Sequence, residues 1–211
     1  MKGGTSMKVK MVLFTIILIL LAPFTASAKQ SSPLEKLDDI SDEALQMVKY
    51  QRYEDAKRLL VYFSDQFTNA SGEDRPFTMD ELRIITVSHD QALEAVASTS
   101  MGYAERMNRI TKFRLVMDAI TTSHQPLWTE MEEPIMAAFS SLKEAAYNDS
   151  NTKFHESFNS FLSIYDVIYP SMKIDISADQ IHQLDNHIEV IDGSRQKSVQ
   201  ATEQQEIEAL G

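Results

Sequence analysis

The residues best suited to chemistry are the carboxylates Glu130, Glu132 and Glu133, set beside Trp128, the only tryptophan in the chain. Acids this close together can hold a divalent metal or form an acid–base pair. A dinuclear carboxylate site in a helical bundle, however, needs Glu-x-x-His on facing helices, and that motif does not occur. The plainer account is electrostatic. Acids at the start of a helix meet the positive end of its dipole, while the indole packs over the end of the bundle. Recognition of a protein partner by Trp128, Glu130, Glu132 and Glu133 is therefore expected ahead of catalysis.

The other candidates are weaker. Histidines stand at positions 89, 124, 155, 182 and 187. His182 and His187 are five apart, whereas two ligands on one helical face need a spacing of three or four. His89 lies on an apolar stripe and reads as a hydrogen-bonded core histidine. The absence of cysteine excludes disulfides, thiolate metal sites, cysteine nucleophiles and a cysteine-anchored lipid. No HExxH, phosphate-binding glycine loop, dinucleotide fingerprint or nucleophile elbow is present, and six glycines leave little scope for a phosphate cradle. The expectation is a non-enzymatic protein with no catalytic residue, cofactor or metal.

Positioning these residues requires a core, and 211 residues, 43% hydrophobic and 24% charged, are enough to build one. The chain divides into a signal peptide (1–28), a helical extracytoplasmic domain (29–192) and a polar, disordered tail (193–211). Lys2, Lys8 and Lys10 precede the apolar run Met11–Phe24 and the small residues Ala26-Ser27-Ala28, the pattern of a secretory signal. The run is short for a membrane span, and Pro23 interrupts its end, so cleavage after Ala28 is expected. Its removal takes away three lysines and no acid, moving the net charge from −11 to −14. A domain so acidic repels phosphate backbones, which argues against nucleic acid as a partner.

Apolar residues recur at helical spacing through the domain. Ser32-Pro33-Leu34-Glu35 is a capping box opening a first helix with Leu34, Leu37, Leu45 and Val48 inward. After a link at Tyr50–Arg52, Tyr53, Ala56, Leu60, Phe63 and Phe67 mark a second, which makes an antiparallel hairpin. Thr68–Phe77 reads as a surface loop. Thr78 and Glu81 cap a third helix, with Leu82, Ile85, His89, Leu93 and Val96 inward. A turn at Met101-Gly102 leads to a fourth, carrying Tyr103, Met107, Ile110, Phe113, Met117 and Ile120.

Thr121–Pro134 is an irregular connection. Pro134 falls in the first turn of a fifth helix that buries Ile135, Phe139, Leu142 and Ala146. After a turn at Asn148–Asn151, Phe154, Phe158, Phe161, Tyr165 and Ile168 define a sixth helix, expected to be the spine of the bundle and to stop at Pro170. Met172, Ile174 and Ile176 alternate like a short extended strap. Ser177 and Gln180 cap a last helix with Ile181, Leu184, Ile188 and Ile191 inward, ended by Gly193. The expected fold is all-α: an antiparallel bundle, or a short tetratricopeptide-like array of helical hairpins, of about seven helices. Arg52–Phe67 and Lys153–Ile168 align without gaps, but no matching repeat lies between them, and shared helical periodicity accounts for the alignment.

Several segments, taken in order, resemble the sporulation protein YpjB family: RYEDAKRLLVYFSDQF, RPFTMDELRIITVSHDQALEAV, NRITKFRLVMDAI and, most specifically, PLWTEMEEP and YDVIYPSMKID. The resemblance spans about residues 34 to 192. It implies an extracytoplasmic protein of a Bacillus-like cell, associated with sporulation, and it brings no catalytic activity, cofactor or site residues. It also implies a membrane-spanning segment near the C-terminus. No apolar run follows Ile191, so a shorter, released member or a truncated reading frame is expected.

The resulting expectation is an exported interaction or assembly protein acting at the outer face of the cell membrane or in the forespore intermembrane space. Its partners would be membrane or envelope proteins, with membrane association through an uncleaved signal or a missing C-terminal segment. The alternative is an extracytoplasmic metal- or solute-binding helical domain.

Overall fold

A computed structural model describes residues 32–71, 77–122, 125–147 and 151–193. The expected signal peptide and the tail from residue 194 onward lie outside the described residues. Seven α-helices and one 3-10 helix follow one another, with no strand among the described residues. They are α1 (Pro33–Lys49), α2 (Tyr53–Ala70), α3 (Met79–Ala97), α4 (Tyr103–Thr121), the 3-10 helix Leu127–Met131, α5 (Glu132–Tyr147), α6 (Asn151–Asp175) and α7 (178–193).

Local chemistry sets the boundaries. The Ser32 hydroxyl accepts from the Glu35 amide at 3.1 Å and Glu35 accepts from the Ser32 amide at 3.3 Å, the reciprocal capping the sequence calls for. Thr78 and Glu81 repeat it at α3. Between α1 and α2 the chain reverses at Gln51, whose φ of 57° lies in the left-handed region. There the amides of Gln51 and Arg52 donate back to the Val48 and Met47 carbonyls and close the helix end.

Consecutive helices pack as pairs, α1 with α2, α3 with α4 and α5 with α6, while α4 also packs against α1 and α6. Two apolar clusters result. The larger holds Leu37, Leu60, Phe63, Ile85, Ile110, Phe113 and Met117 between α1, α2, α3 and α4. Phe63 meets Phe113 edge-on at 4.9 Å and stacks on His89 at 5.2 Å. The smaller gathers Leu115 of α4, Val167, Ile168 and Met172 of α6 and Ile181 of α7. α4 belongs to both, and its residues from Phe113 to Ala119 are buried in an unbroken run. This second half of α4, enclosed on every side, is the true spine.

That corrects one expectation: α6, for all its aromatic residues, organises only the smaller cluster. Further differences have physical causes. α6 does not stop at Pro170 but runs through it to Asp175, so the extended strap at Met172–Ile176 is helical turn instead. Proline inside a helix forfeits one hydrogen bond and costs about 3 kcal/mol. Val167 and Ile168 before it and Ser171 and Met172 after it are all buried, and that packing holds the helix together across the break.

α2 extends through Thr68 to Ala70, and Phe77, expected in a surface loop, is buried against Phe67 at 5.5 Å. Residues 72–76 of that loop, and 148–150 before α6, lie outside the described residues. Tyr103 is 48% exposed, because it starts α4 beyond the edge of the core. On α5, Leu142 and Ala145 are buried, whereas Phe139 is 44% exposed and Ala146 is exposed. α5 packs chiefly on α6 and the 3-10 helix, which leaves Met136 and Phe139 exposed.

If α4 is the spine, Phe113→Ala will cost about 3–5 kcal/mol through the cavity it leaves. Tyr103→Ala on the same helix will cost less than about 0.5 kcal/mol. Urea denaturation followed by circular dichroism gives both values; equal costs would refute the assignment.

Candidate interaction site

The irregular connection after α4 carries Trp128, and α4 itself positions it. Asp118, in the last turn of α4, accepts the Leu127 amide at 2.6 Å and the Thr122 hydroxyl at 3.1 Å, which anchors the start of the 3-10 helix. Asp118 is held in turn by Arg114, whose guanidinium reaches it at 3.8 Å and pairs with Asp38 of α1 at 2.8 Å. The Thr121 hydroxyl donates to the same Asp38 carboxylate at 2.9 Å. From this anchor the chain turns through Pro126, whose carbonyl accepts from the Thr129 amide and hydroxyl.

Trp128 then reaches the end of α6, where its indole N–H donates to Asp175 at 2.7 Å. Partial burial, with the charge of Asp118 nearby, pushes the Asp175 carboxyl above its usual range, against the opposing pull of the indole hydrogen bond. The continuation of α6 past Pro170 is what places Asp175 there. The hydroxyls of Tyr165 and Tyr169 donate to Asp185 of α7 at 3.1 and 2.7 Å, holding α7 against α6.

A cleft of about 390 Å³ lies between these elements. Trp128, Ile135, Met136, Phe161, Met172 and Leu184 form its apolar walls, with Glu132 at its edge. Met136, 54% exposed, and Phe139, in ring contact with Phe161 at 6.2 Å, carry the apolar surface outward along α5. Glu132 and its sequence neighbours Glu130 and Glu133 are all exposed, so the start of α5 beside the cleft is acidic.

Of the four residues expected to bind a partner, Trp128 and Glu132 line the cleft. Glu133 stands with Glu132 in the first turn of α5, as the dipole argument requires, and Glu130 lies in the 3-10 helix before it. They do not converge on a point: among the described residues no three His, Asp or Glu side chains are placed to hold a metal. His89 is the core histidine expected. Its Nε2 lies 2.9 Å from the Leu60 carbonyl, and because a carbonyl only accepts, that nitrogen carries the proton. His182 and His187 are exposed, and His124 lies outside the described residues.

Sequence reasoning missed Met136 and Phe139 as surface residues, and Asp118, Asp175 and Asp185 as the acceptors that place the walls. Acids on amphipathic helices look like ordinary solvated charge. Only their partners, far away in sequence, reveal them.

The tyrosine pair has a titration signature. Burial, then the hydrogen bond to Asp185, then its charge push Tyr169 up to about 12 and Tyr165 higher still. Both groups bind their protons more tightly folded than unfolded. The stability they contribute is therefore complete below about pH 10, the ordinary phenol value, and is lost as pH rises through the folded values. Absorbance titration will show two of the seven tyrosines ionising late, and Asp185→Asn will bring them back toward the others. A single transition for all tyrosines in the folded protein would contradict this geometry.

Comparison with known proteins places the chain. The family model described as sporulation protein YpjB (SpoYpjB) matches residues 34–211. A relative from Bacillus subtilis (strain 168), given as uncharacterized protein YpjB, is 34% identical over 206 residues, which is 97% of this chain and 77% of the relative. No solved structure matches. The matched region takes in α1 to α7 with the Trp128 cleft, and on that extent of agreement the chain belongs to the sporulation protein YpjB family.

Proposed function

We propose that the protein is an exported, non-enzymatic interaction or assembly factor of sporulation. It acts at the outer face of the cell membrane or in the forespore intermembrane space, docking an amphipathic, basic segment of an envelope protein in the Trp128 cleft. The observation that carries the reading is the cleft with its apolar extension along α5: a formed apolar groove with Met136 and Phe139 exposed beside it. Grooves of this kind accept the apolar face of a helix, and the exposed Glu130, Glu132 and Glu133 select for lysine or arginine flanking that face. Met136 adds an adaptable thioether to the contact. Support for export comes from the lysines, the apolar run and the Ala26-Ser27-Ala28 site at the N-terminus. Among the described residues no helix is long and apolar enough to cross a membrane.

A second reading uses the same cleft. Its volume falls within the roughly 300–1,000 Å³ typical of small-molecule sites, which favours an apolar solute as the occupant. Native mass spectrometry of protein purified from sporulating cells separates the two, since a retained small molecule of constant mass would favour the solute.

The docking reading is tested with a photo-crosslinking amino acid at position 139 in sporulating cells, the captured segment then being synthesised and titrated against purified protein. Phe139→Glu and Met136→Glu are expected to weaken that segment at least about tenfold, a loss of about 1.4 kcal/mol, with helix content unchanged. Undiminished affinity in both variants would remove the cleft from the interaction. The same preparation tests export: a mature N-terminus at Lys29 is expected, and an intact Met1 would contradict cleavage.

A further inference from the structure

A second cleft, of about 180 Å³, lies on a different face of α6, where α3, α4 and α6 meet. Its charge runs against that of the molecule. Acids outnumber bases by 31 to 20 in the chain, yet the cleft is lined by Arg83 of α3, Lys112 of α4 and Lys173 of α6, and by no Asp or Glu. Lys112 is partly buried, while Arg83 and Lys173 are exposed at the mouth.

The cations are poorly compensated. Arg83 has an exposed partner in Asp80 at 3.3 Å on its outer side. Lys173 lies over the Tyr169 ring at 5.3 Å. The Lys112 ammonium donates to the amide oxygen of Gln91 at 3.5 Å. Among the described residues neither lysine forms an ion pair. Asp166 on the exposed side of α6 acts on Lys112 only through space, and Arg109, already paired with Glu94 and Glu105, adds like charge. Taking an ammonium partly out of water without a carboxylate costs free energy that an anion in the cleft would offset. The strain shows in its titration: burial holds the Lys112 ammonium below the usual lysine value, with Arg109 lowering it further and Asp166 opposing.

We propose that this cleft binds a phosphate group, with Lys112 at its base, Arg83 and Lys173 closing over it, and Val87 and Pro170 receiving a small apolar substituent. Three cations match a phosphate dianion better than a single carboxylate, which would leave two of them uncompensated. The Arg83 fork suits paired phosphate oxygens, and the two lysines act as point charges. The walls from Val87 and Pro170 make room for carbon attached to the phosphate. The phosphate can belong to a free phosphate ester or to the headgroup of an anionic phospholipid, and both present the same oxygens.

The test titrates the full chain by calorimetry with inorganic phosphate, phenyl phosphate and acetate, and measures its co-sedimentation with phosphatidylcholine vesicles with and without phosphatidylglycerol. The variants are Lys112→Met, Arg83→Gln and Lys173→Gln. Saturable phosphate binding is expected, tighter for phenyl phosphate, absent for acetate, and at least about tenfold weaker in Lys112→Met. If Lys112→Met fails to fold, the two exposed substitutions carry the test, each weakening binding severalfold. Binding of the soluble phosphates assigns a free ester. Binding only to phosphatidylglycerol vesicles, reduced in the same variants, assigns a headgroup; the apolar run Met11–Phe24 is common to every variant and cancels in the comparison. Acetate binding as well as phosphate, affinities unchanged in the variants, or no variant-sensitive binding to any probe would overturn the proposal.

Discussion

A guanidinium enclosed in a helical bundle must bring its counter-charges with it, and Arg114 is the constraint on which this structure turns. Its side chain is 10% exposed and sits in the run of α4 that is buried on all sides. Asp38 of α1 meets it at 2.8 Å, Asp118 at 3.8 Å from within α4, and Asp42 faces Nε at 3.5 Å without completing a hydrogen bond. Losing one partner from so enclosed a group would leave uncompensated charge, which costs far more than breaking a surface pair. The network therefore sets the register between α1 and α4. Through Asp118 and the Leu127 amide it also fixes where the chain leaves the bundle.

The apolar cleft lies downstream of that exit. The 3-10 helix begins where Asp118 holds it, Trp128 is aimed at Asp175, and α5 is laid along α6. Leu142 and Ala145 take the inner positions, and Met136 and Phe139 remain outside. The same geometry explains the two characters of α6. One face supplies Phe161 and Met172 to an apolar cleft; another supplies Pro170 and Lys173 to a cationic one.

The two polar groups that look most like chemistry in the core, His89 and the Tyr165–Tyr169–Asp185 group, are joints. His89 spends its Nε2 proton on the Leu60 carbonyl and its ring face on Phe63, tying α3 to α2. The tyrosines tie α7 to α6. Buried polar groups with satisfied partners specify register, and here they do so between α2 and α3 and between α6 and α7.

Helix boundaries with their own local chemistry are legible in the amino-acid order. The boxes at Ser32/Glu35 and Thr78/Glu81, the reversal at Tyr50–Arg52 and the turn before Tyr103 depend on residues within one turn of each other, and all are where the sequence puts them. The inward faces of α1, α2 and α3 follow in the same way from spacing alone. Of the site, the sequence marks Trp128 and the acids around it, because a lone indole in an irregular acidic stretch is unusual. Tertiary contact decided the rest. Pro170 signals a helix end locally, yet buried neighbours on both sides carry α6 onward to Asp175. Periodicity marks Phe139 as buried and α6 as the spine, but a stripe records only which residues share a face, and whether another helix covers that face depends on contacts between residues far apart in the chain. Lys112 joins Arg83 and Lys173 for the same reason: charges from three helices meet only when packing brings those helices together.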